Sequence, residues 1–294
     1  MAGISRVGIV AKLQLNSVAS HLAETAAWLE ARGIEAVFET ETALLDGVGA
    51  GHPTGSRDDL PRLVDLLLVF GGDGTFLAVA DRVAASGRDI PILGVNFGHL
   101  GFLTEVAWPG VFTSLEAVLA GEAAFDHRLV IKASVRRGGQ ETSRRFALND
   151  VVVTRGALSR IIPLSVSVGG EFVATFHADG LIISSPTGST AYNLSAGGPI
   201  VHPDVDALVL TPIAPHMLSN RPVVIPASTE VVVQPAALDA GQEAFVSIDG
   251  QSGQGLEPGD TLHVARHDQP VRLVESASHN YFEVLRKKLK WAER

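Results

Sequence analysis

The sequence predicts an α/β N-terminal domain with a parallel sheet, then a β-rich, antiparallel, sandwich-like C-terminal domain, then a terminal helix that returns to the first domain. Three features predict it. Strand-like and helix-like segments alternate through residues 1–125, the pattern of a parallel sheet covered by helices. Residues 126–275 carry short runs rich in β-branched residues, alternating in polarity and punctuated by glycine and proline, the pattern of antiparallel strands. Residues 276–294 place apolar side chains at helical intervals opposite a basic face.

Taken in order, Val7-Gly8-Ile9-Val10-Ala11 reads as a first buried strand, and residues 18–31 put Leu22, Ala26 and Leu29 on one helical face until Gly33 stops the pattern. Residues 35–38, 66–70 and 90–95 are further strands, with a helix over 76–85 between the last two. The glycine-rich stretch 47–55 is a loop. In the second half, residues 129–135, 164–168, 172–176 and 231–233 alternate as strands, and Gly169-Gly170 is a two-residue hairpin turn. After a strand-like 270–275, residues 281–291 read as a helix whose Arg286, Lys287, Lys288 and Lys290 gather toward its C-terminal end, where cations suit the helix dipole.

Composition narrows the function classes. With 294 residues, 46% hydrophobic and 19% charged, the chain can build two cores and is not a disordered sequence. A formal net charge of −9 argues against non-specific binding to nucleic acid or to an anionic membrane, both of which need a basic surface. Cysteine is absent, which removes disulfides, thiolate zinc sites and a cysteine nucleophile from consideration. Met1 to Val10 lacks the apolar stretch of a signal peptide, and no segment has the apolar length of a membrane span, so the expected location is cytoplasmic.

The most informative stretch is Leu66-Leu67-Leu68-Val69-Phe70-Gly71-Gly72-Asp73-Gly74-Thr75. A buried strand breaks at two glycines and restarts as a helix, which is how backbone N–H groups and a helix N-terminus are brought against a phosphate. Asp73 is the anomaly. A carboxylate where phosphate should sit is electrostatically unfavourable unless it orients an attacking hydroxyl, while the plainer reading makes Asp73 a helix cap.

A second segment runs from Asp179 through Ser184-Ser185-Pro186-Thr187-Gly188-Ser189-Thr190-Ala191-Tyr192-Asn193-Leu194-Ser195 to Gly197-Gly198-Pro199. A strand leads into a polar loop dense in small hydroxyl residues around one aromatic ring, which suits a nucleotide and exceeds what a turn requires. The plainer reading makes the hydroxyls turn residues and Tyr192 part of the core.

In order along the chain, Gly71-Gly72-Asp73-Gly74-Thr75, then Gly94-Val95-Asn96-Phe97-Gly98-His99-Leu100-Gly101-Phe102-Leu103, then Asn149-Asp150, then the Asp179 to Pro199 segment resemble NAD kinase of the bacterial type. The first element alone is also similar to lipid kinases and phosphofructokinases; the long second segment separates them. The resemblance implies a Mg²⁺-dependent transfer (or one using another divalent cation, held mainly by ATP phosphates) from ATP to the adenosine ribose 2′-hydroxyl of NAD. On that reading residues 126–275 form a dinucleotide-binding domain. Asp73 is the catalytic carboxylate, Gly74 contacts the same nucleotide, and Phe102 flanks the adenine. Asn149 and Asp150 hold ribose and adenine, with Asp150 one carbon shorter than the Glu more common in the family.

Further along, Thr190, Ala191, Tyr192, Asn193, Leu194 and Ser195 line the groove, Asp179 faces the nicotinamide end, and Gln251 is another dinucleotide contact. Arg160 matches a basic site that reaches the nucleotide from a neighbouring subunit, which implies a homodimer or homotetramer. His177 matches a position where relatives carry either a basic residue associated with NAD over NADH or a small one; it reads equally as a surface strand residue. His99, His202 and His216 lack the paired spacing of a zinc site. Rival readings are a lipid or sugar kinase sharing the glycine loop and a non-catalytic NAD(P)-sensing module.

Overall fold

The computed structural model describes residues 3–13, 18–98, 100–156, 161–217, 219–235, 243–275 and 281–291. The chain divides into two compact units, one formed by Met1–His127 with Val271–Arg294, the other by Arg128–Pro270.

Among the described residues the first unit holds an eight-stranded sheet. From one edge its strands are Thr54–Gly55, Glu35–Glu39, Arg6–Ala11, Leu66–Phe70, Ile92–Asn96, Val271–Val274 and Phe125–Arg128, with Val106–Ala107 paired to Ile92–Asn96. The strands from Thr54–Gly55 to Ile92–Asn96 are all parallel to their neighbours. The chain starts at Arg6–Ala11, moves outward one way through Glu35–Glu39, then returns to the other side of its first strand with Leu66–Phe70 and continues to Ile92–Asn96. That reversal leaves a crevice beyond the carboxyl ends of Arg6–Ala11 and Leu66–Phe70, where α/β sheets bind ligands. Every residue of Leu66–Phe70 and Ile92–Asn96 is buried, as strands covered on both faces must be.

Several elements differ from the sequence reading, among them Thr54–Gly55 and Phe125–Arg128, which join this sheet. The last strand, Val271–Val274, grouped by its sequence position with the β-rich half, instead pairs in parallel with Ile92–Asn96. Val274 joins the apolar cluster of Val7, Ile9, Leu68 and Leu93, and Glu275 N–H donates to Ala124 O at 3.0 Å. The helix Val111–Ala120, absent from that reading, buries Val111, Leu115 and Val118 on one face. The terminal helix Tyr281–Leu289 belongs to the first unit and buries Val284 and Leu285, leaving Arg286, Lys287 and Lys288 exposed. No described helix is long and apolar enough to cross a membrane.

The second unit contains two six-stranded sheets. One runs Val223–Pro226, Ala207–Ile213, Gly180–Ser184, Asp150–Arg155, Ala244–Ile248, Gln251–Leu256; the other runs Glu171–Ala178, Ile162–Val168, Val231–Pro235, Thr261–Arg266, Ile131–Arg137, Gln140–Ala147. All pairings are antiparallel. Alternate residues of both sheets, among them Val151, Val153, Leu181 and Ile183 from one and Leu164, Val166, Val231 and Val233 from the other, form a single core, so the sheets pack face to face. Gly169 and Gly170, with φ of 60° and 83°, close the hairpin between Val168 and Glu171 as the sequence predicts; two positive φ values in succession are what a two-residue turn of that hand needs.

Candidate active site

In the first unit, the strand Leu66–Phe70 delivers the chain through Gly71 and Gly72 into the helix Asp73–Ser86. The helix begins at Asp73, ahead of the apolar periodicity that marks it in the sequence. Its N-cap is Gly72, and no side chain caps it, so Asp73 is not a helix cap. The carboxylate turns instead to the loop after Ile92–Asn96. Oδ2 accepts a hydrogen bond from Phe102 N at 3.0 Å; Oδ1 accepts from Leu103 N at 3.1 Å, Thr104 N at 3.2 Å and Thr104 Oγ1 at 3.2 Å. Successive backbone N–H groups form an anion-binding nest, and here the anion is a side chain of the protein. The nest is braced from behind, because Thr104 O accepts from Asn96 Nδ2 at 2.9 Å and from Gly101 N at 3.2 Å.

Glycines near this carboxylate fall into two kinds. A Cβ at Gly101 would overlap Asp73 Oδ1 and Thr104 Oγ1, so the fold itself excludes a side chain there. A Cβ at Gly72 or Gly74 would meet nothing within 4 Å, and neither residue has a positive φ. The folded chain does not require glycine at those two positions. Bare backbone there suits close approach by an anion.

In the second unit, Asn149 and Asp150 enter the strand Asp150–Arg155 under the control of Asp249, which follows the strand Ala244–Ile248. Asp249 Oδ1 accepts from Asn149 N at 2.8 Å and Asp150 N at 3.0 Å, and its Oδ2 accepts from Leu148 N at 2.8 Å. Asp249 sits in the left-handed region, φ 49°, a strain of roughly 1–2 kcal/mol for a residue with a Cβ. Three hydrogen bonds to a charged group, each worth about 1.5–3 kcal/mol, outweigh it.

The Asn149 side-chain amide makes no hydrogen bond among the described residues, and neither does the Asp150 carboxyl, although Asp150 is only 4% exposed. Burial, and secondarily the charge of Asp249, push the Asp150 pKa up to about 7. Strand register sets Asp150 opposite Ser184 and Val151 opposite Ile248, so Asn149, Asp150, Ser184 and the Asp249 turn gather at one end of the sheet. Gln251 follows that turn, its side-chain oxygen accepting from Arg145 Nη2 at 2.9 Å.

The hydroxyl-rich segment divides differently from its sequence reading. Ser184, Ser185 and Ser189 are fully buried and Thr187 nearly so. Ser185 Oγ donates to Leu148 O and accepts from Gly188 N, while Ser189 Oγ donates to Val201 O at 3.1 Å and accepts from Val201 N at 3.0 Å. These inner hydroxyls hold the loop together, so the plainer turn reading is right for them. Asn193, expected to line the groove, is also wholly buried: its Nδ2 donates to Ser189 O and Pro199 O, both at 3.0 Å, and its Oδ1 accepts from Thr211 Oγ1 at 2.6 Å. Its side chain therefore locks the segment and is not offered to a ligand. The outer face consists of half-buried Thr190, Ala191 and Leu194 with exposed Ser195 and Tyr192, the last 44% exposed and not part of the core.

Asp179 stands at the other end of the strand Gly180–Ser184, away from Asp150, and accepts from Arg155 Nε at 2.7 Å. His177 is exposed on the preceding strand Glu171–Ala178, an edge strand of the other sheet. Arg160 and His99 lie outside the described residues. Among the described residues no three Asp, Glu or His side chains converge as a metal cage. Thr104, Asp249 and Arg155 were missed by the sequence reading; only their three-dimensional contacts single them out.

Comparison with known proteins finds two family domains in succession along the chain. Residues 53–123 match the ATP-NAD kinase N-terminal domain family and residues 148–276 the ATP-NAD kinase C-terminal domain family. The NAD kinase of Syntrophotalea carbinolica is 45% identical over 99% of this chain and 100% of its own length, and that of Geobacter sulfurreducens is 44% identical over the same shares. The crystal structure of yeast NADH kinase complexed with NADH superimposes with a TM-score of 0.89 at 26% identity, covering 100% of this chain and 90% of that one. An NAD kinase from Archaeoglobus fulgidus in complex with ATP shares the fold, with a TM-score of 0.72 at 23% identity over 97% of this chain and 98% of that one. With full-length relatives at this identity and both family domains present in order, the chain belongs to the NAD kinase family.

Proposed function

We propose that this chain transfers the γ-phosphoryl group of ATP to the adenosine ribose 2′-hydroxyl of NAD, giving NADP and ADP, with Asp73 as the proton acceptor. The observation that carries the assignment is the Asp73 carboxylate itself. Oδ1 accepts three hydrogen bonds while Oδ2 accepts one, and a carboxylate oxygen has two lone-pair sites, so Oδ2 is the atom with capacity for a substrate hydroxyl. In the transfer, the 2′-oxygen bonds to the γ-phosphorus, the bridging bond to the β-phosphate breaks, ADP departs, and the hydroxyl proton passes to Asp73. A sugar hydroxyl is far too weak an acid to be ionised by a carboxylate beforehand. Asp73 orients it and takes the proton late, as a loose phosphoryl-transfer transition state permits. Magnesium, or another divalent cation, enters on the ATP phosphates as part of the substrate and shares charge stabilisation with the amides of the glycine loop.

On this reading Asn149 and Asp150 bind the adenosine, and Gly74 and Phe102 are nucleotide contacts of the first unit. The unpartnered Asn149 amide and a buried carboxyl that titrates near neutrality offer both donors and acceptors to ribose and adenine. Thr190, Ala191, Tyr192, Leu194 and Ser195 line the dinucleotide groove, and Gln251 adds a contact. Asp179, paired with Arg155, faces the nicotinamide end. Five strand residues separate it from the Asp150 end, roughly 17 Å at the usual rise, which suits a ligand with two recognisable ends.

We assign the protein to the cytoplasm and to a homodimer or homotetramer built through the β-rich unit. Apolar side chains on sheet edges support the assembly: Phe172 is 66% exposed on Glu171–Ala178, and Val224 is 51% exposed on Val223–Pro226. The deciding experiment incubates the protein with ATP, Mg²⁺ and NAD and detects NADP with an NADP-specific dehydrogenase. Formation of NADP is the expected result. A lipid or sugar kinase leaves NAD untouched, and a sensing module binds NADP without producing it.

A further inference from the structure

The second unit carries, on the outer face of one sheet, a chain of hydrogen-bonded side chains that the phosphoryl transfer does not use. We propose that Thr261, His263 and Glu230 act there as nucleophile, general base and orienting acid, and that Thr261 takes the acyl group of a small acyl phosphate. The proposal goes beyond the kinase reading and stands or falls independently of it.

Strand alternation builds the cluster. Leu262 and Val264 lie in the core between the two sheets, as do Val231 and Val233, so Thr261 and His263 share the opposite face with Glu230 and Val232. Val232 is paired directly with His263, which makes Glu230, two residues earlier, a diagonal neighbour of the imidazole. On the other flank, Arg136 is paired with Thr261 and Ser134 with His263. Register thus brings a carboxylate, an imidazole, a hydroxyl and a guanidinium to one patch of the sheet.

Hydrogen bonding gives the patch a direction. His263 Nδ1 lies 3.2 Å from Glu230 Oε1, and its Nε2 lies 3.1 Å from Thr261 Oγ1. A carboxylate only accepts, so it holds the imidazole proton on Nδ1; Nε2 keeps its lone pair, and the Thr261 hydroxyl donates to it. A hydroxyl bonded to a base that a third group orients is the arrangement that makes a weak nucleophile react. Thr261 and His263 are half-buried and not sealed in the core, so a small donor can reach the hydroxyl. Arg136, beside Thr261, supplies the cation that favours an anionic donor and the oxyanion formed from it.

In the transfer, Thr261 Oγ1 bonds to the acyl carbon and its proton passes to His263 Nε2, where Glu230 balances the imidazolium. The bond from the acyl carbon to the phosphate oxygen then breaks, and the proton leaves with the phosphate. The products are an acyl ester of Thr261 and inorganic phosphate.

The full-length protein is incubated with acetyl phosphate, or with p-nitrophenyl acetate as an uncharged donor, and its acetylated positions are mapped by mass spectrometry before and after hydroxylamine. Hydroxylamine cleaves an ester and spares an acetyl-lysine amide. An acetyl ester should form on Thr261 with either donor. His263→Gln should slow its formation by roughly 10²–10⁴-fold, the usual worth of a positioned general base, and Glu230→Gln by about tenfold or more. Thr261→Ser should keep the ester and Thr261→Val lose it, with thermal melting confirming that each variant folds. Arg136→Gln should slow the reaction with acetyl phosphate more than that with p-nitrophenyl acetate.

The proposal is overturned if no hydroxylamine-labile acetyl group appears on Thr261 of the parent protein, or if His263→Gln acquires it at the parent rate; the imidazole would then serve only to tie two strands together. An equal effect of Arg136→Gln on both donors would overturn the choice of an acyl phosphate.

Discussion

Gly101 has no side chain because Asp73 occupies the space one would need: Oδ1 of the carboxylate and Oγ1 of Thr104 both fall within the volume of a Cβ at position 101. The two residues belong to loops that follow adjacent parallel strands, Leu66–Phe70 and Ile92–Asn96. A glycine in the second loop thus lets that loop wrap the acid of the first. The same device recurs in the second unit, where Asp249 gathers the N–H groups of Leu148, Asn149 and Asp150. In both places a carboxylate orders a segment by accepting three consecutive backbone hydrogen bonds.

Gly101→Ala should push the 101–104 loop off Asp73. Overpacking of this kind costs about 1–3 kcal/mol. Both melting temperature and kcat should fall, with affinity for NADP reduced less than tenfold; a variant with wild-type kcat would separate the wrapping of Asp73 from catalysis.

Gly74→Ala should do the opposite to stability. Alanine at a helical position with open space around it is favoured over glycine by about 0.5–1 kcal/mol. Activity should nonetheless fall sharply, through a higher KM for NAD. Urea unfolding and NAD kinetics on one preparation check both halves of the expectation.

Asp73→Asn should retain dinucleotide binding and lose turnover by roughly 10²–10⁴-fold, the usual worth of a positioned general base. Equilibrium binding of NADP, measured beside kcat, distinguishes this from misfolding. An unaltered rate would remove the proton acceptor from the mechanism.

Asp249→Asn keeps a residue suited to a left-handed turn but removes the charge that three N–H groups face. Stability should drop by about 1–3 kcal/mol and KM for NAD should rise, while KM for MgATP stays near its wild-type value. Losing the charge also removes one of the two causes that raise Asp150, so the pH dependence of NAD binding should move to lower pH.

Asp150 carries a pH signature of defined sign. Its folded pKa, about 7, lies above the unfolded value of 3.8, so the folded state holds the proton more tightly. The associated stability is complete below the unfolded pKa and is lost as pH rises through 7, with a span of about 4 kcal/mol. Asp65 and Asp260 act in the other direction: both are lowered, Asp260 chiefly by its hydrogen bond to Arg137 and Asp65 by hydrogen bonds from Ser5 and Arg6 that outweigh its desolvation, so their contribution is lost as pH falls. Asp150→Asn should therefore be more stable than the parent at pH 8 and show a flatter stability curve between pH 4 and 7, measured by chemical unfolding across that range.

Local chemistry explains how much was legible beforehand. Alternation, helical spacing and paired glycines are short-range signals, so the parallel sheet, the antiparallel half and the Gly169-Gly170 hairpin could be read from neighbouring residues alone. Burial cannot be read that way. Ser185, Ser189 and Asn193 look like ligand groups in one dimension, and only the packing against Leu148, Val201 and Thr211 turns them into internal fasteners. Val271–Val274 joins a sheet whose other strands lie far earlier in the chain, because the edge of Ile92–Asn96 was open to a strand of that hydrophobicity.

The sequence by itself determined the two classes of domain, the glycine loop and the acid within it, because backbone freedom and apolar periodicity are properties of adjacent residues. Tertiary structure alone decided which oxygen of Asp73 keeps an open lone pair, that Asp249 commands Asn149 and Asp150, and that Lys12 and Arg57 flank the glycines. Those relationships join residues far apart in the chain, and only folding sets the distances on which hydrogen bonds and charges depend.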